Sequence, residues 1–438
     1  MLLLHISDIH FNYPVCGTQM DPDRPYRTIL LQDARDRAAS LGPVDAILVS
    51  GDIAFHGMAE EYSAASEWLA DLASACGCQI ERVYVVPGNH DVDRNVITGQ
   101  ASVRNAQQAI GRAAPDRRER ELLVQFQDGE AGRSLFAPLG AYNEFAARFS
   151  CQVYPPERLF WQQDLEVDEK TVIRIHGLTS TLLSGAGVPS GRDDSRESLY
   201  LSPLQTALDP LDGVVNLVLC HHPPDWFMDA DVAEDAICGR AAIHLFGHKH
   251  RQRFSRDENY VRFSAGAVNP NRYEVGWEPG YNIIRLTVSE RAGARYLDVE
   301  AQLLVWQARP DMFRPKMVNQ TDVVFRHTLP IRGVVATARL PASRGNTSAA
   351  DGPRASNPVE AAGDTEAAMS NVHARNLVFR FWSLASSKRR EIAEGLRLIE
   401  PAEIALPETE RYGRALMRAS ERGLLEQLAE EIDRMENR

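Results

Sequence analysis

The first residues of the chain form a short apolar run that gives way at once to polar residues. Leucine and isoleucine dominate between Leu2 and Ile6, and Asp8-Ile9-His10 follows. Such a run predicts a buried strand. Alternate residues of an extended chain point to the same side, so Asp8 and His10 would project together from the carboxyl end of this strand. A carboxylate and an imidazole placed in this way can bind one divalent metal ion, although the pair alone could also be a turn after a strand.

Four later apolar runs end in the same manner. Strands are predicted at Ala46–Ser50, Arg82–Val86, Val214–Cys220 and Ala241–Phe246. They lead into Gly51-Asp52, Gly88-Asn89-His90-Asp91, His221-His222 and Gly247-His248-Lys249-His250, respectively. Sites in open α/β sheets form outside the carboxyl ends of the strands. We therefore expect the five segments to meet in one crevice.

The spacing between these runs predicts the fold class. Helical patterns at Asp33–Leu41 and Glu60–Ala75 separate the first three strands, and the order β-α-β-α-β implies parallel strands covered by helices. Farther along, Thr171–Gly177 is a predicted strand and Ser202–Leu211 a predicted short helix. A run of antiparallel strands is expected at Tyr260–Ala265, Tyr281–Val288 and Leu297–Trp306. The main part of the chain is therefore predicted to be α/β.

A change of composition marks the end of this main domain. Pro341–Val372 contains no leucine, isoleucine or aromatic residue, and such a segment cannot bury a core. Helical periodicity returns from His373 onward and predicts a small all-α module. We predict a main domain at residues 1–335, with cap or specificity insertions within 92–202. A flexible linker at 336–372 and a helical domain at 373–438 would complete the chain.

Charge and composition narrow the function. The net charge of −12 argues against broad, non-specific binding to nucleic-acid backbone. The six cysteines are scattered without a C-x-x-C pair, which predicts reduced thiols in a cytoplasmic protein. We expect no signal peptide, since the first apolar run lacks a charged leader. We also expect no membrane partner, because no window approaches the ~20 apolar residues of a membrane span.

The polar strand endings resemble the motifs of one enzyme family. D-x-H (Asp8 to His10), G-D-x-x-x-x-G (Gly51 to Gly57), G-N-H-D (Gly88 to Asp91), H-x-P (His221 to Pro223) and G-H-x-H (Gly247 to His250) occur in the order seen in calcineurin-like metallophosphoesterases. The resemblance covers about residues 1–310. The first residues and the GNHD and HHPP forms look closest to the cyclic-nucleotide phosphodiesterase-like bacterial members. It implies a β-sandwich that is flanked by helices and holds two divalent metals.

The resemblance also implies a role for each motif residue. Asp8, His10 and His250 would bind the first metal, Asn89, His221 and His248 the second, and Asp52 would bridge both. His90 would lie near the leaving group, with Asp91 beside it as a second catalytic candidate. Mixed nitrogen and oxygen ligands suit Mn, Fe, Zn, Co or Ni.

The chemistry of phosphoester hydrolysis accounts for these residue types. Two metals roughly 3.5–4 Å apart can share a hydroxide for in-line attack and can clamp the phosphoryl oxygens. The two oxygens of Asp52 can bridge them, and the neutral amide of Asn89 limits negative charge. We hypothesise that His90 protonates the expelled oxygen. The sequence thus predicts a metal-dependent phosphoesterase acting on a phosphoester, which can be a nucleotide or nucleic acid. A phosphodiesterase is the leading interpretation; a nuclease, a phosphomonoesterase and a nucleotide pyrophosphatase are the alternatives.

Several polar residues near the motifs keep two interpretations. His222 could replace His221 as the ligand, although the H-x-P pattern favours His221. His56 is interpreted as a loop or rim residue, and His176 as structural or close to the rim. The arginines of Arg117–Arg120 are either a solvated helix face or a substrate contact.

The C-terminal sequence resembles a different kind of domain. The stretches FRFWSLASSKRREIAEGLRLIEP and LPETERYGRALMRASERGLLEQLAEEI are similar to small helical adaptor domains on effectors of bacterial conflict systems. This similarity implies that residues 373–438 recruit the enzyme to a protein partner. The alternative is a tail that only stabilises or dimerises the protein.

Overall fold

The computed structural model describes residues 1–153, 158–186, 194–270 and 278–333, and in the C-terminal part residues 377, 380–381, 384, 386–400, 403 and 408–436. The chain divides into two compact units, Met1–Ala338 and Arg339–Arg438. The predicted linker at 336–372 lies outside the described residues. Among the helices of the described residues, none is long and apolar enough to cross a membrane.

The described residues of the first unit form two sheets. In order across the first sheet, the strands are β12 (Met312–Pro315), β11 (Ala294–Gln307), β10 (Gly280–Arg291), β1 (Leu2–Ile6), β2 (Ala46–Val49) and β3 (Val83–Val85), and β13 (Phe325–Pro330) pairs with β11. In the second sheet they are β4 (Trp161–Asp168), β5 (Thr171–Gly177), β6 (Val214–Cys220), β7 (Ile243–Phe246), β9 (Val261–Ser264) and β8 (Arg253–Arg256). β1, β2 and β3 run parallel, as do β5, β6, β7 and β9.

Helices flank these sheets. They are α1 (Arg24–Leu41), α2 (Ala59–Cys76), α3 (Arg94–Gly99), α4 (Ala101–Arg112), α5 (Pro115–Gln127), α6 (Gly129–Phe136), α7 (Gly140–Ala146) and α8 (Ala230–Arg240). In α2 the apolar residues Tyr62, Leu69 and Leu72 recur at helical spacing and are buried. This helix ends where Gly77 adopts a left-handed φ of 68°, a conformation that glycine adopts without strain.

The core lies between the two sheets and under the helices. Every residue of β1, β2 and β3 is buried, and coverage on both faces explains why their sequences are continuous apolar runs. Aromatic pairs join the sheets: the ring centroids of Phe263 and Phe325 are 5.3 Å apart, and those of Tyr84 and Trp161 are 5.9 Å apart. The predicted α/β sandwich with flanking helices is confirmed.

Two details differ from the sequence prediction. The segment predicted at Tyr260–Ala265 does not continue the antiparallel run, because Val261–Ser264 lies in the second sheet, parallel to β7. The helix predicted at Ser202–Leu211 is a single 3-10 turn, Pro203–Thr206, and Pro210 cannot continue a helix. Within residues 92–202, where insertions are predicted, the described residues form the helices α3 to α7 and the strands β4 and β5, and both strands belong to the second sheet.

The second unit is helical in its described part. It contains α9 (Ser386–Gly395), α10 (Glu408–Glu421) and α11 (Leu425–Glu436). Phe381, Tyr412 and Ile432 lie in its buried core. A bidentate ion pair joins α10 to the segment before it, with Arg418 Nη1 and Nη2 at 2.9 and 2.7 Å from the carboxylate of Glu403. The predicted helical character of the C-terminal module is confirmed for these residues.

Candidate metal centre

The polar strand endings meet where the carboxyl ends of the parallel strands of both sheets face each other. Asp8 follows β1 and His250 follows β7, yet His250 Nε2 lies 3.2 Å from Asp8 Oδ1. Asp52 follows β2 and His221 follows β6, and His221 Nε2 lies 3.3 Å from Asp52 Oδ2. The crevice predicted from the sequence therefore exists, and it lies between the two sheets.

An unusual backbone conformation turns these side chains toward one another. Five residues have a left-handed φ, of 54° at Asp8, 52° at His10, 53° at Asp52, 67° at His248 and 52° at His250. Non-glycine residues rarely adopt this conformation, and such strain is concentrated at functional sites. The loops are fixed by main-chain hydrogen bonds, since the amides of Ile9 and His10 both donate to the Asp52 carbonyl, at 2.8 and 3.1 Å.

Asp8, His10 and His250 form the first group of candidate ligands. Their ligand atoms lie within 4.8 Å of one another. Asp8 is fully buried, and its Oδ2 also accepts a hydrogen bond from the His248 amide at 3.2 Å. Burial alone would raise the pKa of Asp8, but the neighbouring His250 and His221 hold it well below its usual range. The carboxylate is thus ionised, as a metal ligand requires.

A second group surrounds the side-chain oxygen of Asn89. His221 Nε2 and His222 Nε2 lie 3.1 and 3.2 Å from Asn89 Oδ1. His248 Nδ1 lies 3.2 Å from His221 Nε2. The ligand atoms of His221, His222 and His248 lie within 4.8 Å of one another, so three histidines converge on this amide.

Asp52 connects the two groups. Its Oδ2 lies 3.3 Å from His10 Nε2 in the first group and 3.3 Å from His221 Nε2 in the second. Its Oδ1 accepts a hydrogen bond from the His90 amide at 2.8 Å. Burial would raise the pKa of Asp52, but His221 and His90 hold it well below its usual value. One ionised carboxylate therefore lies between two sets of imidazoles.

The ring nitrogens of His10 and His221 that point away from Asp52 indicate which kind of ion these side chains can bind. His10 Nδ1 faces the Asn269 carbonyl at 3.2 Å, and His221 Nδ1 faces the Ser50 carbonyl at 2.7 Å. A ring nitrogen that donates to a carbonyl leaves the opposite Nε2 with its lone pair. Beside Asp52, these two Nε2 atoms can either carry a proton, which the carboxylate favours, or give their lone pairs to a metal ion. The mixed nitrogen and oxygen set fits a first-row transition metal such as manganese, iron or zinc.

His90 lies at the edge of this cluster. Its ring is 4.9 Å from that of His10 and stacks on Phe55 at 4.8 Å. His90 Nδ1 lies 2.9 Å from the Phe55 carbonyl, which orients Nε2 away from Phe55. Burial lowers the pKa of His90, although the charge of Asp52 opposes this shift.

Asp91 is placed differently from the other motif residues. It is fully buried, and its carboxylate accepts hydrogen bonds from the amides of Ile53, Ala54 and Gly88 at 2.8–3.2 Å and from the Tyr62 hydroxyl at 2.9 Å. Burial and the nearby Asp52 raise the pKa of Asp91 to about 6. These contacts give no support to the catalytic role predicted for Asp91; they show a carboxylate that holds the loops of Asp52 and Asn89 together.

The other residues that the sequence analysis considered as site candidates lie outside the two ligand groups. The His56 side chain is 51% exposed and faces Glu61, as expected of a rim residue. His176 is buried and bonds to Asn216 at 3.0 Å, as expected of a structural residue. In the Arg117–Arg120 cluster Arg118 is buried and paired with Asp229 at 2.7 Å, so it is neither solvated nor free for substrate.

Some residues of the centre were not predicted. The Asn269 carbonyl contacts His10 Nδ1, and the Ser50 carbonyl contacts His221 Nδ1. Ser180 Oγ lies 2.8 Å from His222 Nδ1. These residues contribute main-chain groups or a lone hydroxyl and lie outside the motifs, so the sequence carries no signal for them.

Comparison with known proteins identifies both parts of the chain. The calcineurin-like phosphoesterase family model matches residues 1–252, and the GTPase-associated adaptor domain model matches residues 373–434. Similar solved structures include Vps29 from Chaetomium thermophilum, which is 10% identical over 75% of this chain and 98% of that chain with a TM-score of 0.29. A predicted phosphoesterase from Streptococcus pneumoniae is 13% identical over 75% and 97% of the two chains, with a TM-score of 0.28.

A third solved structure, a putative 5′-nucleotidase from Staphylococcus aureus, is 10% identical over 76% of this chain and 54% of that chain, with a TM-score of 0.32. No curated protein matches the chain. The two family matches confirm the resemblances to metallophosphoesterases and to adaptor domains that the sequence motifs suggested.

Proposed function

Because the chain belongs to the calcineurin-like phosphoesterase family, we propose that it is a metal-dependent phosphodiesterase. The observation that carries this proposal is the position of Asp52, whose carboxylate touches His10 on one side and His221 on the other. That arrangement suits a carboxylate shared by two ions. Two-metal sites of this kind act on phosphoester bonds in many hydrolases.

In this proposal each group of ligands holds one divalent ion. Asp8, His10 and His250 would hold the first ion, Asn89, His221 and His248 would hold the second, and Asp52 would contribute to both. When bound, the two ions supply Lewis acidity toward the phosphoryl oxygens and lower the pKa of water for attack.

The protein's own residues position the ligand loops and protonate the leaving group. His90 donates a proton from Nε2 to the oxygen that leaves, since its Nδ1 is engaged by the Phe55 carbonyl. Asp91 positions the Asp52 loop through the Ile53 and Ala54 amides. The negative charge of a bound phosphodiester favours the protonated imidazole that this role requires.

A substrate panel assayed with Mn²⁺ tests the proposal. We expect hydrolysis of bis(p-nitrophenyl) phosphate and of at least one cyclic mono- or dinucleotide. Cleavage confined to single-stranded or duplex nucleic acid would instead identify a nuclease. Cleavage confined to p-nitrophenyl phosphate would identify a phosphomonoesterase and contradict the proposed reaction.

The neighbouring histidines His221 and His222 are expected to respond differently to substitution. His221→Ala should bind one fewer Mn²⁺, because His221 faces both Asp52 and Asn89. His222→Ala should keep both ions with about 10–100-fold weaker affinity, because His222 lies between Ser180 Oγ at 2.8 Å and Asn89 Oδ1 at 3.2 Å and so positions the Asn89 amide. Metal content after dialysis measures both. Loss of an ion only in His222→Ala would reverse the ligand assignment.

For the C-terminal unit we propose protein recruitment, with the enzyme acting as an effector in a bacterial conflict system. The match of residues 373–434 to an adaptor domain supports this role.

The six cysteines are all free in the structure, which supports the proposed cytoplasmic location.

Removing the residues after Pro341 distinguishes recruitment from a stabilising tail. If the C-terminal unit recruits a partner, the shortened protein should keep its turnover of bis(p-nitrophenyl) phosphate and its thermal midpoint. A drop in the midpoint together with lost turnover would show that the unit serves only to stabilise the enzyme.

A further inference from the structure

A row of buried polar side chains crosses the first sheet beneath the metal centre. It runs from Gln252 through Asn282 on β10 and His5 on β1 to Ser50 after β2. His5, Asn282 and Ser50 have no exposed surface, and Gln252 is 7% exposed. None of the four belongs to a proposed ligand set. An apolar residue would fill the position of His5 without needing partners, as Leu3 does two residues earlier.

The hydrogen bonds along this row all run in one direction. Gln252 Nε2 donates to Asn282 Oδ1 at 2.6 Å, and Asn282 Nδ2 lies 3.1 Å from His5 Nδ1. An amide nitrogen can only donate, so His5 Nδ1 is the acceptor and the ring proton is on Nε2. His5 Nε2 then donates to Ser50 Oγ at 2.9 Å. The single donor and single acceptor of a neutral imidazole are both used.

The environment of His5 is consistent with that neutral form. Burial lowers the pKa of His5 to about 3, although the charge of Asp8 opposes the shift. A neutral ring with both nitrogens engaged has one tautomer and one orientation. His5 is therefore a rigid connector between Asn282 and Ser50.

Both ends of the row reach the loops that carry the proposed ligands. The Ser50 carbonyl accepts from His221 Nδ1 at 2.7 Å and from Ser7 Oγ at 3.1 Å. Ser50 is also two residues before Asp52. At the other end, Gln252 is two residues after His250. The row thus links segments that contribute to the first ion, the second ion and the shared carboxylate.

We propose that His5 is a positioning residue of the metal centre. Its contact with Ser50 fixes the residue whose carbonyl orients His221. Its contact with Asn282, which bonds to Gln252, fixes the segment after His250 relative to β1 and β10. The proposal rests on the proposed metal site, and it assigns to His5 an effect on metal affinity. Partners that orient metal-binding histidines affect metal affinity about 10–100-fold when they are removed.

Mn²⁺ binding to the full-length protein tests this role without relying on turnover. Free Mn²⁺ followed by electron paramagnetic resonance gives the stoichiometry and the affinity. We expect His5→Phe to weaken Mn²⁺ binding about 10–100-fold, and His5→Gln, which retains a donor and an acceptor, to recover most of it. The control is His176→Phe, since His176 is also buried and bonded to an asparagine, but in the second sheet. His176→Phe should lower the thermal midpoint and leave Mn²⁺ affinity unchanged.

Equal Mn²⁺ affinity in His5→Phe and the wild type would overturn the proposal and leave His5 a structural residue. If His5→Phe does not fold, Ser50→Ala provides the test. This change removes the hydroxyl that bonds to His5 and keeps the carbonyl that bonds to His221. Unchanged Mn²⁺ affinity in Ser50→Ala would also overturn the proposal. A wild type that binds two Mn²⁺ but hydrolyses no phosphodiester would refute the proposed function and not this inference. A wild type that binds no Mn²⁺ would refute both.

Discussion

Replacing Asp52 by alanine is expected to lower kcat/KM for bis(p-nitrophenyl) phosphate by about 10²–10⁴-fold, because a metal clamp supplies several kcal/mol of transition-state stabilisation. Asp52 Oδ2 contacts His10 and His221, so its loss removes a carboxylate that contacts both ligand groups. Steady-state kinetics with saturating Mn²⁺ measures the loss. Metal analysis of the variant should show fewer than two ions per chain.

A neighbouring aspartate provides the control for this change. Asp93 begins α3, and its side chain accepts from the Asn95 amide at 2.8 Å. Asparagine caps a helix as well as aspartate does, so Asp93→Asn removes one nearby negative charge without disturbing the fold. This variant should retain wild-type kinetics. Comparable activity in Asp52→Ala and Asp93→Asn would refute the role of Asp52.

The second large effect is expected at His90. His90→Ala should lower turnover of a dialkyl phosphodiester by about 10²–10⁴-fold while both metal ions stay bound, because a general acid contributes a factor of that size and His90 is not a proposed ligand. The loss on bis(p-nitrophenyl) phosphate should be smaller, since p-nitrophenolate leaves without protonation. His56→Ala is the matched control, because His56 lies on the adjacent loop with half of its side chain exposed.

The pH profile separates proton donation from a packing effect of the same change. A general acid acts in its protonated form, and burial lowers the pKa of His90 below its ordinary value of 6.5. Because kcat/KM reports the pKa values of the free enzyme, kcat/KM for the dialkyl substrate should fall as pH rises through this lowered pKa. This decrease with rising pH should be absent from the profile of His90→Ala. The same decrease in the variant and the wild type would show that another group donates the proton.

The sequence predicted two strands of the second sheet with the observed bounds, Thr171–Gly177 and Val214–Cys220. Val214–Cys220 is an almost continuous apolar run, as expected of a buried strand, whereas the first residues of Thr171–Gly177 alternate between buried and half-buried. The convergence of the motif residues followed from the rule that parallel strands present their carboxyl ends at one edge. The sheet that contains Val261–Ser264 could not be predicted, because strand pairing depends on contacts between distant segments.

The supporting residues of the centre were harder to predict for a different reason. The carbonyls of Ser50 and Asn269 orient His221 and His10, but any residue type carries a carbonyl, so the side chain gives no signal. The contacts of Asp91 could not be predicted, because its motif lies in the site while its carboxylate turns inward to the Ile53 and Ala54 amides. Only the folded backbone separates these two directions.

The most direct test of the two-metal account is to remove the metals and add them back. Protein stripped with a chelator should lose hydrolysis of bis(p-nitrophenyl) phosphate, and titration with Mn²⁺ should restore it, with full activity at two bound ions per chain. Full activity in the stripped protein would contradict the account. So would full activity at one bound ion, because Asp52 would then have no second ion to bridge.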